Sequence, residues 1–516
     1  MSVNVSIKQA ILGVSGIVLA SKFLGFIREM VIAERFGTSM EYDIYLLAIA
    51  GPVFFNLVIV HTTNYLTVPY LAKKVPGQPD HPDWSRVWSV FNSLLVIVLA
   101  IVALIIIAAP VLVHLIGPNL AGESFDTGVF YCRLIAGLLV LGFIESFLRS
   151  VLNVRKRFAY PAMGTILLNI TTIVIIYLFS GSLSVGAILA GILVGSLVQV
   201  IFLSLGFARK DIFRAFKLEL FKPEVKTLLT AGGAIISVEF LTSTYFLIDR
   251  YFASDMTEGV VSALNYCSLL VMLPASIVGY AIATVSFPYL SERSGSDEIT
   301  GFGRLLRSAL SLAILAGLPC AVFYTVFARE LTAAVFFRGA FDVVSLEITS
   351  RILTMLGPYL LCLFGYTILI QACYALGRQR AVLAIAAVSV IIKFSLTGIL
   401  KDVMGYPGIG LATSLVFVFS ATMLLTLLAR AGRLQKAAHL VAAAGKIIVA
   451  SIPIVVVGCL FDFTPEYHEG MNLLDKLRIV PIAAALFFGF VIIGYLINIE
   501  QLRNLISGFW KGKNDR

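Results

Sequence analysis

Long apolar runs separated by short polar segments follow one another along almost the whole chain. A helix needs about 20 residues to cross a hydrocarbon layer of roughly 30 Å, and the runs have about that length or more. The pattern therefore predicts about fourteen membrane-spanning helices. They lie near Lys8–Glu34, Asp43–Leu71, Val87–Leu115, Gly128–Val154, Ala159–Phe179, Val185–Phe207, Val225–Phe252, Val260–Leu290, Leu305–Phe337, Ile348–Leu376, Ala381–Leu400, Gly408–Leu428, Ala437–Leu460 and Leu477–Ile499.

The composition supports this interpretation. Of the 516 residues, 59% are hydrophobic and 13% are charged, and the mean hydropathy is +0.96. Soluble domains are nearer half apolar and a quarter charged. No stretch is left for a sizeable soluble domain, which excludes a tethered soluble enzyme. The sequence predicts an all-α polytopic membrane protein.

The formal net charge of +10 is distributed unevenly. If the N-terminus is placed in the cytoplasm, basic residues gather in every second loop, whereas the alternate segments 118–126, 180–184 and 254–259 contain no Lys or Arg. Cytoplasmic loops of membrane proteins carry such an excess. The bias predicts a multi-pass membrane protein with both termini in the cytoplasm. A nucleic-acid surface would not alternate with each crossing and is excluded.

The first twelve helices form two similar series of six at an offset of roughly 220 residues. An even number of helices gives two parallel repeats about an axis along the membrane normal. We therefore expect an N-terminal lobe at residues 1–208, a C-terminal lobe at 209–431, and two additional helices with a basic tail at 432–516. The matched positions are Arg28 and Arg250, Val68–Leu71 and Phe287–Leu290, Phe125–Asp126 and Phe341–Asp342, and Val185–Ala187 and Ile409–Leu411.

Several charges fall inside the predicted helices. Lys22, Gly25, Arg28 and Glu29 share one arc of about 120° on the first helix. Because an ionisable group near the bilayer centre costs roughly 2.5 to 3.5 kcal/mol, such an arc should face a water-filled cavity between the lobes. Two cations with one carboxylate leave positive charge in excess. A cavity of this kind selects an anion, and phosphate is the common membrane-embedded one.

Other polar residues complete the candidate site. Arg250 is the repeat partner of Arg28, and Asn56 adds hydrogen-bonding capacity in the second helix. Glu239, Asp249 and Lys393 are candidates for ion coupling, with Lys393 as a built-in cation in place of a bound sodium ion or proton. Glu145 and Arg149 have the i,i+4 spacing of a structural pair.

The sequence contains no phosphate-binding glycine loop, no Cys/His metal spacing and no nucleotide-binding domain. We therefore expect a transporter without catalytic residues, metal or cofactor. An ion gradient, the membrane potential or the substrate's own gradient would drive it, and sodium and the proton are both open as the coupling ion.

Five segments together resemble a known family. They are Ser21–Glu29 followed by Phe36, Gly37 and Asp43, then Asn153–Pro161, Leu264–Tyr266, Phe287–Ser291 and Arg338–Asp342. The chain resembles the MurJ (MviN) type lipid II flippases of the multidrug/oligosaccharidyl-lipid/polysaccharide exporter superfamily. The resemblance runs through helices one to twelve, and the two additional helices also suit that family, in which they form a groove for the lipid tail.

The resemblance implies that a polyprenyl-pyrophosphate-linked glycan is flipped from the cytoplasmic to the outer leaflet of the bacterial cytoplasmic (inner) membrane by alternating access. It places the family's basic pair on Lys22 and Arg28, its following acid on Glu29 and its second-helix acid on Asp43. In two places the chain departs from the family, since Ser268 and Leu269 replace an Asp-Arg pair, and Phe55 and Asn56 replace an arginine pair. An undecaprenyl-pyrophosphate oligosaccharide other than lipid II, for a cell-surface polysaccharide, therefore stays open beside lipid II for peptidoglycan.

Two other classes of function are considered. One is a cation-coupled exporter of drugs or metabolites, which shares the superfamily architecture and uses an acidic site such as Glu239. The other is a scaffold for envelope-synthesis enzymes, which could also be partners of a flippase.

Overall fold

The structure, a computed structural model, describes residues 2–72, 84–155, 157–206, 220, 223–294, 299–434, 438–460 and 478–503. Regular secondary structure in these segments is helical, without strands, which confirms the all-α prediction. Lys511 and Lys513 of the predicted basic tail, and the predicted boundary between residues 208 and 209, lie outside the described residues.

The helices of the first half of the chain are α1 (Ser2–Phe36), α2 (Met40–Ala48), α3 (Ala50–Ala72), α4 (Trp84–Ile116), α5 (Glu123–Ala136), α6 (Leu138–Val154), α7 (Ala159–Leu183), α8 (Gly186–Leu205) and α9 (Pro223–Ala253). Those of the second half are α10 (Val260–Pro274), a π-helical turn (Ala275–Gly279), α11 (Tyr280–Ser294), α12 (Ile299–Val326), α13 (Ala328–Phe336), α14 (Val343–Met355), α15 (Gly357–Ala375), α16 (Gln379–Met404), α17 (Pro407–Arg430), α18 (Ala438–Leu460) and α19 (Ile479–Leu496).

Eleven helical spans in the described residues are long and apolar enough to cross a membrane, and the bent pair of α2 and α3 makes a twelfth. Helices α1 and α9 contain 35 and 31 residues, which at about 1.5 Å per residue is also more than a bilayer's hydrocarbon thickness. With these two, the spans follow the predicted order along the chain.

The second predicted helix is not continuous. Helices α2 and α3 meet at an angle of 46° around Ile49. The cause is Pro52, which lacks an N–H and whose ring clashes with the carbonyl of Ala48 four residues earlier. A similar interruption follows Pro274, where the amide of Tyr280 donates to the carbonyl of Ala275, five residues back, instead of four.

The chain divides into two compact units, residues Met1–Val261 and Ser262–Arg516. In the first unit, α3 packs against α6 and α9, and α7 packs against both α1 and α8. Its apolar core contains Val90, Phe143 and Leu152, all fully buried, and the ring of Phe91 stacks on that of Phe143 at 5.5 Å between centroids. This packing holds polar side chains of α1, α2, α3, α6 and α8 around a common space.

In the second unit, α12 packs against α15 and α18, and α16 packs against α17. Helix α19 ends in a tight turn in which Asn498 has a positive φ of 60°. The amide of Ile499 donates to the carbonyl of Gly494 at 3.0 Å, and the amide of Asn498 donates to that of Tyr495 at 3.3 Å. These two bonds form a Schellman motif, which reverses the chain so that Ile499 and Leu502 join an apolar cluster with Leu315 and Ile447.

Candidate functional site

The polar arc of α1 contains a close ion pair. Arg28 Nη2 lies 2.5 Å from Glu29 Oε1, and Arg28 Nε donates to the same oxygen at 3.2 Å. The two side chains are 23% and 10% exposed, so water screens the pair only weakly. Glu29 therefore balances Arg28, and Lys22, the other cation of this arc, is exposed.

Asn169 of α7 connects this pair to a second helix. Its Oδ1 accepts a hydrogen bond from Arg28 Nη1 at 3.2 Å, and its Nδ2 donates to the carbonyl of Ser21 at 3.3 Å. Asn169 is 2% exposed. Asn169 was not predicted as a site residue, and its signal in the sequence is a single amide within an apolar run. The amide thus connects the guanidinium of Arg28 to α7 by a contact across 141 residues.

A cavity of about 290 Å³ lies inside the first unit next to Arg28. Its volume is near the lower end of small-molecule sites. The polar side chains that line it come from five different helices, whereas the remaining lining is apolar. These polar residues are Arg28, Tyr45, Asn56, Glu145, Ser196 and Gln199.

Glu145 is held at the cavity by its own partners. Arg149 Nη2 lies 2.5 Å from Glu145 Oε1, which confirms the pair predicted from the i,i+4 spacing. Gln199 Nε2 donates to the same carboxylate oxygen at 3.1 Å, and Arg149 also donates to Thr165 Oγ1 at 3.2 Å. The carboxylate is therefore compensated, although it faces the cavity.

Two polar atoms at the cavity have no hydrogen-bond partner among the described residues. They are Asn56 Oδ1 and the hydroxyl oxygen of Tyr45, both of which are buried. Gly142 leaves the space that Asn56 occupies, because a methyl group at position 142 would lie 2.6 Å from Asn56 Oδ1. Buried polar groups normally have a partner, so these two atoms are suited to water or to a polar group of a ligand.

Asp43 and Arg250 lie elsewhere in the first unit and do not line this cavity. The carboxylate of Asp43 accepts a hydrogen bond from the amide of Gly259 at 2.7 Å. Arg250 is 3% exposed, donates to the carbonyl of Val261, and stacks over the ring of Phe246 at 5.0 Å. Both contacts therefore involve α9 or the segment that follows it.

The ion-coupling candidates are divided between the two units. Glu239 and Asp249 lie on α9 of the first unit and are partly buried. Lys393 lies on α16 of the second unit, is fully buried, and donates from Nζ to Thr413 Oγ1 on α17 at 2.6 Å. A hydrogen bond of 2.8 Å between Ser389 and Ser420 extends this polar seam between the two helices.

The structure thus brings Arg28, Glu29 and Asn56 to one polar cavity region and places the other predicted residues outside it. Within the described residues, no group of three His, Cys, Asp or Glu side chains could hold a metal ion. At one of the family departures, Ser268 is exposed, and its hydroxyl donates to the carbonyl of Leu264 on its own helix at 2.8 Å.

Residues 32–476 match the family model described as lipid II flippase MurJ. The Rickettsia prowazekii protein named "Probable lipid II flippase MurJ" is 25% identical over 511 residues, which cover 95% of this chain and 98% of that protein. A solved structure of lipid II flippase MurJ in an inward closed conformation has a TM-score of 0.77 at 22% identity, covering 96% of this chain and 100% of that chain. An inward-facing multidrug resistance MATE family transporter of the MOP superfamily has a TM-score of 0.65 at 14% identity, covering 82% of this chain and 95% of that chain.

Proposed function

Because this chain belongs to the lipid II flippase MurJ family, we propose that it moves lipid II from the cytoplasmic to the outer leaflet of the bacterial inner membrane for peptidoglycan biosynthesis. The substrate is an undecaprenyl-pyrophosphate-linked glycan, and the movement occurs by alternating access. The single observation in the structure that carries the proposal is the Arg28–Glu29–Asn169 cluster beside a partly polar cavity.

The cluster is suited to a diphosphate because hydrogen bonds fix the guanidinium of Arg28, while Glu29 can be replaced as its partner. Glu29 accepts hydrogen bonds from two nitrogens of Arg28, and Asn169 accepts from the third. A diphosphate oxygen can replace Glu29 in this arrangement, since guanidinium binds phosphate and carboxylate in the same forked geometry. Lys22, seven residues before Glu29, places a second cationic side chain on the same arc of α1, and cations favour an anion with several negative charges.

The cation-coupled exporter is the weaker alternative. The family model covers most of the chain, and the structural similarity to MurJ is closer and more extensive than that to the MATE transporter. A site for organic cations would also need acidic groups without cationic partners, but at this cavity Glu145 is paired with Arg149. The same family assignment supports lipid II over another lipid-linked oligosaccharide.

The coupling step is assigned to the charged residues outside the cavity. We propose that Lys393 is a fixed cation that takes the place of a bound sodium ion or proton, since it is the buried cation of the α16–α17 seam. Glu239 and Asp249 are proposed to respond to the membrane potential or to a coupling ion.

The positive-inside bias supports cytoplasmic termini. Envelope-synthesis enzymes are the partners that this substrate would require.

The test is flipping of fluorescent lipid II by the full-length chain in liposomes, with the outward-facing label destroyed by an impermeant reductant. We expect Lys22→Gln with Arg28→Gln to lower the flipping rate at least tenfold. Arg35→Gln is the matched control, because Arg35 is a cation on the same helix that stacks over Tyr177 at 4.7 Å and does not line the cavity. If the double variant folds and flips at the control's rate, the proposal is wrong.

A further inference from the structure

The second unit contains a basic pocket that the proposed function does not use. Its volume is about 450 Å³, and it lies between α12, α18 and the turn that follows α19. Among the described residues, three cations line it, Arg304 and Arg307 from α12 and Lys446 from α18, together with one carboxylate, Glu500. In this part of the structure, cationic side chains outnumber acidic ones at the pocket.

The helices bring the three cationic side chains together at the pocket. Arg304 and Arg307 are three residues apart and so lie on one face of α12, one turn apart. Lys446 Nζ donates to the carbonyl of Asn498 at 3.1 Å, which holds the ammonium at the turn after α19. Serine hydroxyls at Ser308 and Ser311 add hydrogen-bonding groups to the same wall as the arginines.

The opposite wall is rigid because of the Schellman turn. Ile499 and Leu502 are 1% and 7% exposed and pack on the apolar cluster of α12 and α18. Arg503 donates to Asn498 Oδ1 and stacks over the ring of Tyr495 at 5.4 Å. The pocket is thus built by buried packing and does not depend on a loose surface chain.

The pocket lies where three apolar spans begin or end. The spans Gly301–Val326 and Leu440–Leu460 begin close to Arg304 and Lys446, and Ile479–Leu496 ends two residues before Asn498. Because the ends of membrane spans lie near the lipid headgroups, we infer that the pocket is at that level. Next to the pocket, α18 and α19 expose large apolar side chains, including Val441 and Leu496, each 72% exposed. Acyl chains can pack on such a surface.

From this juxtaposition of three cations with exposed apolar helices, we propose that the pocket binds the phosphodiester headgroup of an anionic glycerophospholipid of the same leaflet. Basic pockets between membrane helices bind such headgroups, and each Lys or Arg near the membrane surface contributes favourably. The site is separate from the polar cavity of the first unit and does not depend on which molecule is flipped. By the positive-inside bias it faces the cytoplasmic leaflet.

The experiment measures lipid retention by native mass spectrometry of the full-length chain in detergent, titrated with phosphatidylglycerol or with phosphatidylcholine. We expect retention of phosphatidylglycerol over phosphatidylcholine, and an apparent affinity at least about tenfold weaker in Arg304→Gln with Arg307→Gln. Arg304→Lys with Arg307→Lys should keep most of the binding, because the charge is conserved. Arg430→Gln, which removes an exposed cation at the end of α17 in the same unit, is the control.

Three results would overturn the proposal. The first is equal retention of both lipids by the wild type, and the second is unchanged retention in the glutamine variant. The third is displacement of phosphatidylglycerol by a polyprenyl diphosphate or by millimolar inorganic phosphate at equal efficiency, which would make the pocket a substrate or simple anion site. If the double glutamine variant does not fold, Lys446→Gln tests the same charge from an exposed position. Flipping is not the readout, so failure here leaves the proposed function standing.

Discussion

The carboxylate of Asp43, at the start of α2, accepts a hydrogen bond from the backbone amide of Gly259, the residue before α10, at 2.7 Å. Gly259 has a φ of 89°, and a methyl group there would lie 2.8 Å from Thr38 Oγ1, so glycine is required. Nearby, Glu258 Oε1 accepts from the amide of Met40 at 2.7 Å. Any movement that separates α2 from the segment before α10 must break these bonds.

Asp43→Ala should lower the free energy of unfolding in detergent by about 1 to 3 kcal/mol, because the buried amide of Gly259 would lose its acceptor. Asp43→Asn keeps an oxygen acceptor at the same place and should lose less than half as much. Thermal or denaturant unfolding of the three proteins measures this. Equal stability of wild type and Asp43→Ala would show that water replaces the carboxylate.

Asn169→Asp should weaken substrate binding without preventing folding. A second carboxylate beside Arg28 would compete with the substrate's diphosphate for the guanidinium, which Glu29 already contacts. We expect a rise of roughly tenfold in the lipid II concentration that gives half-maximal flipping, since about 1.4 kcal/mol is a factor of ten. Asn169→Ala removes the acceptor without adding charge and should show a smaller rise. If both variants showed the same dependence on lipid II concentration as the wild type, this would contradict the assignment of Arg28 to the substrate.

Gly142→Ala should reduce flipping, because the added methyl group would push Asn56 into the cavity. Gly181→Ala is the matched control, since nothing lies within 4 Å of a methyl group at that position on α7. Alanine is favoured over glycine in a helix by about 1 kcal/mol, so the control should be as stable as the wild type or more so. A flipping rate in Gly142→Ala equal to that of the control would mean that Asn56 and the cavity are not on the substrate's path.

Lys393→Met should leave stability equal or higher while flipping loses its response to an imposed membrane potential. Replacing a fully buried ammonium by an apolar chain of similar length removes a desolvation cost, and α16 and α17 keep their apolar contacts. Thr413→Val, in contrast, keeps the charge and removes one hydrogen-bond acceptor of the ammonium, so it should lower the free energy of unfolding by about 1 to 3 kcal/mol. Potential-dependent flipping at the wild-type rate in Lys393→Met would assign the lysine a purely structural role.

Helical periodicity was sufficient to predict the features that lie within one helix. It predicted the apolar spans in their order, the shared arc of Lys22, Arg28 and Glu29, and the pairing of Glu145 with Arg149. The charged residues of the arc and of the pair are separated by less than two turns, so their spacing along the chain fixes their spacing on the helix.

Contacts between helices could not be predicted in the same way. Asn169 meets Arg28 across 141 residues, and Asp43 meets Gly259 across 216, and neither spacing carries a periodic signal. The resemblance suggested Asp43 for the substrate site, and the repeat match to Arg28 suggested Arg250. In this structure Asp43 bonds to a backbone amide and Arg250 to a backbone carbonyl. Which polar residues share a cavity depends on helix packing, which a single sequence does not specify.

The π-helical turn at Ala275–Gly279 contains one residue more than an α-helical path of the same height. Side chains after Gly279 are therefore rotated by about 100° relative to an uninterrupted helix, so α10 and α11 present different faces although they form one span. A natural variant that lacks one residue in this stretch could close the turn to regular α-helix and keep its termini at the same membrane depth. This is where we expect single-residue length differences among related sequences to be tolerated.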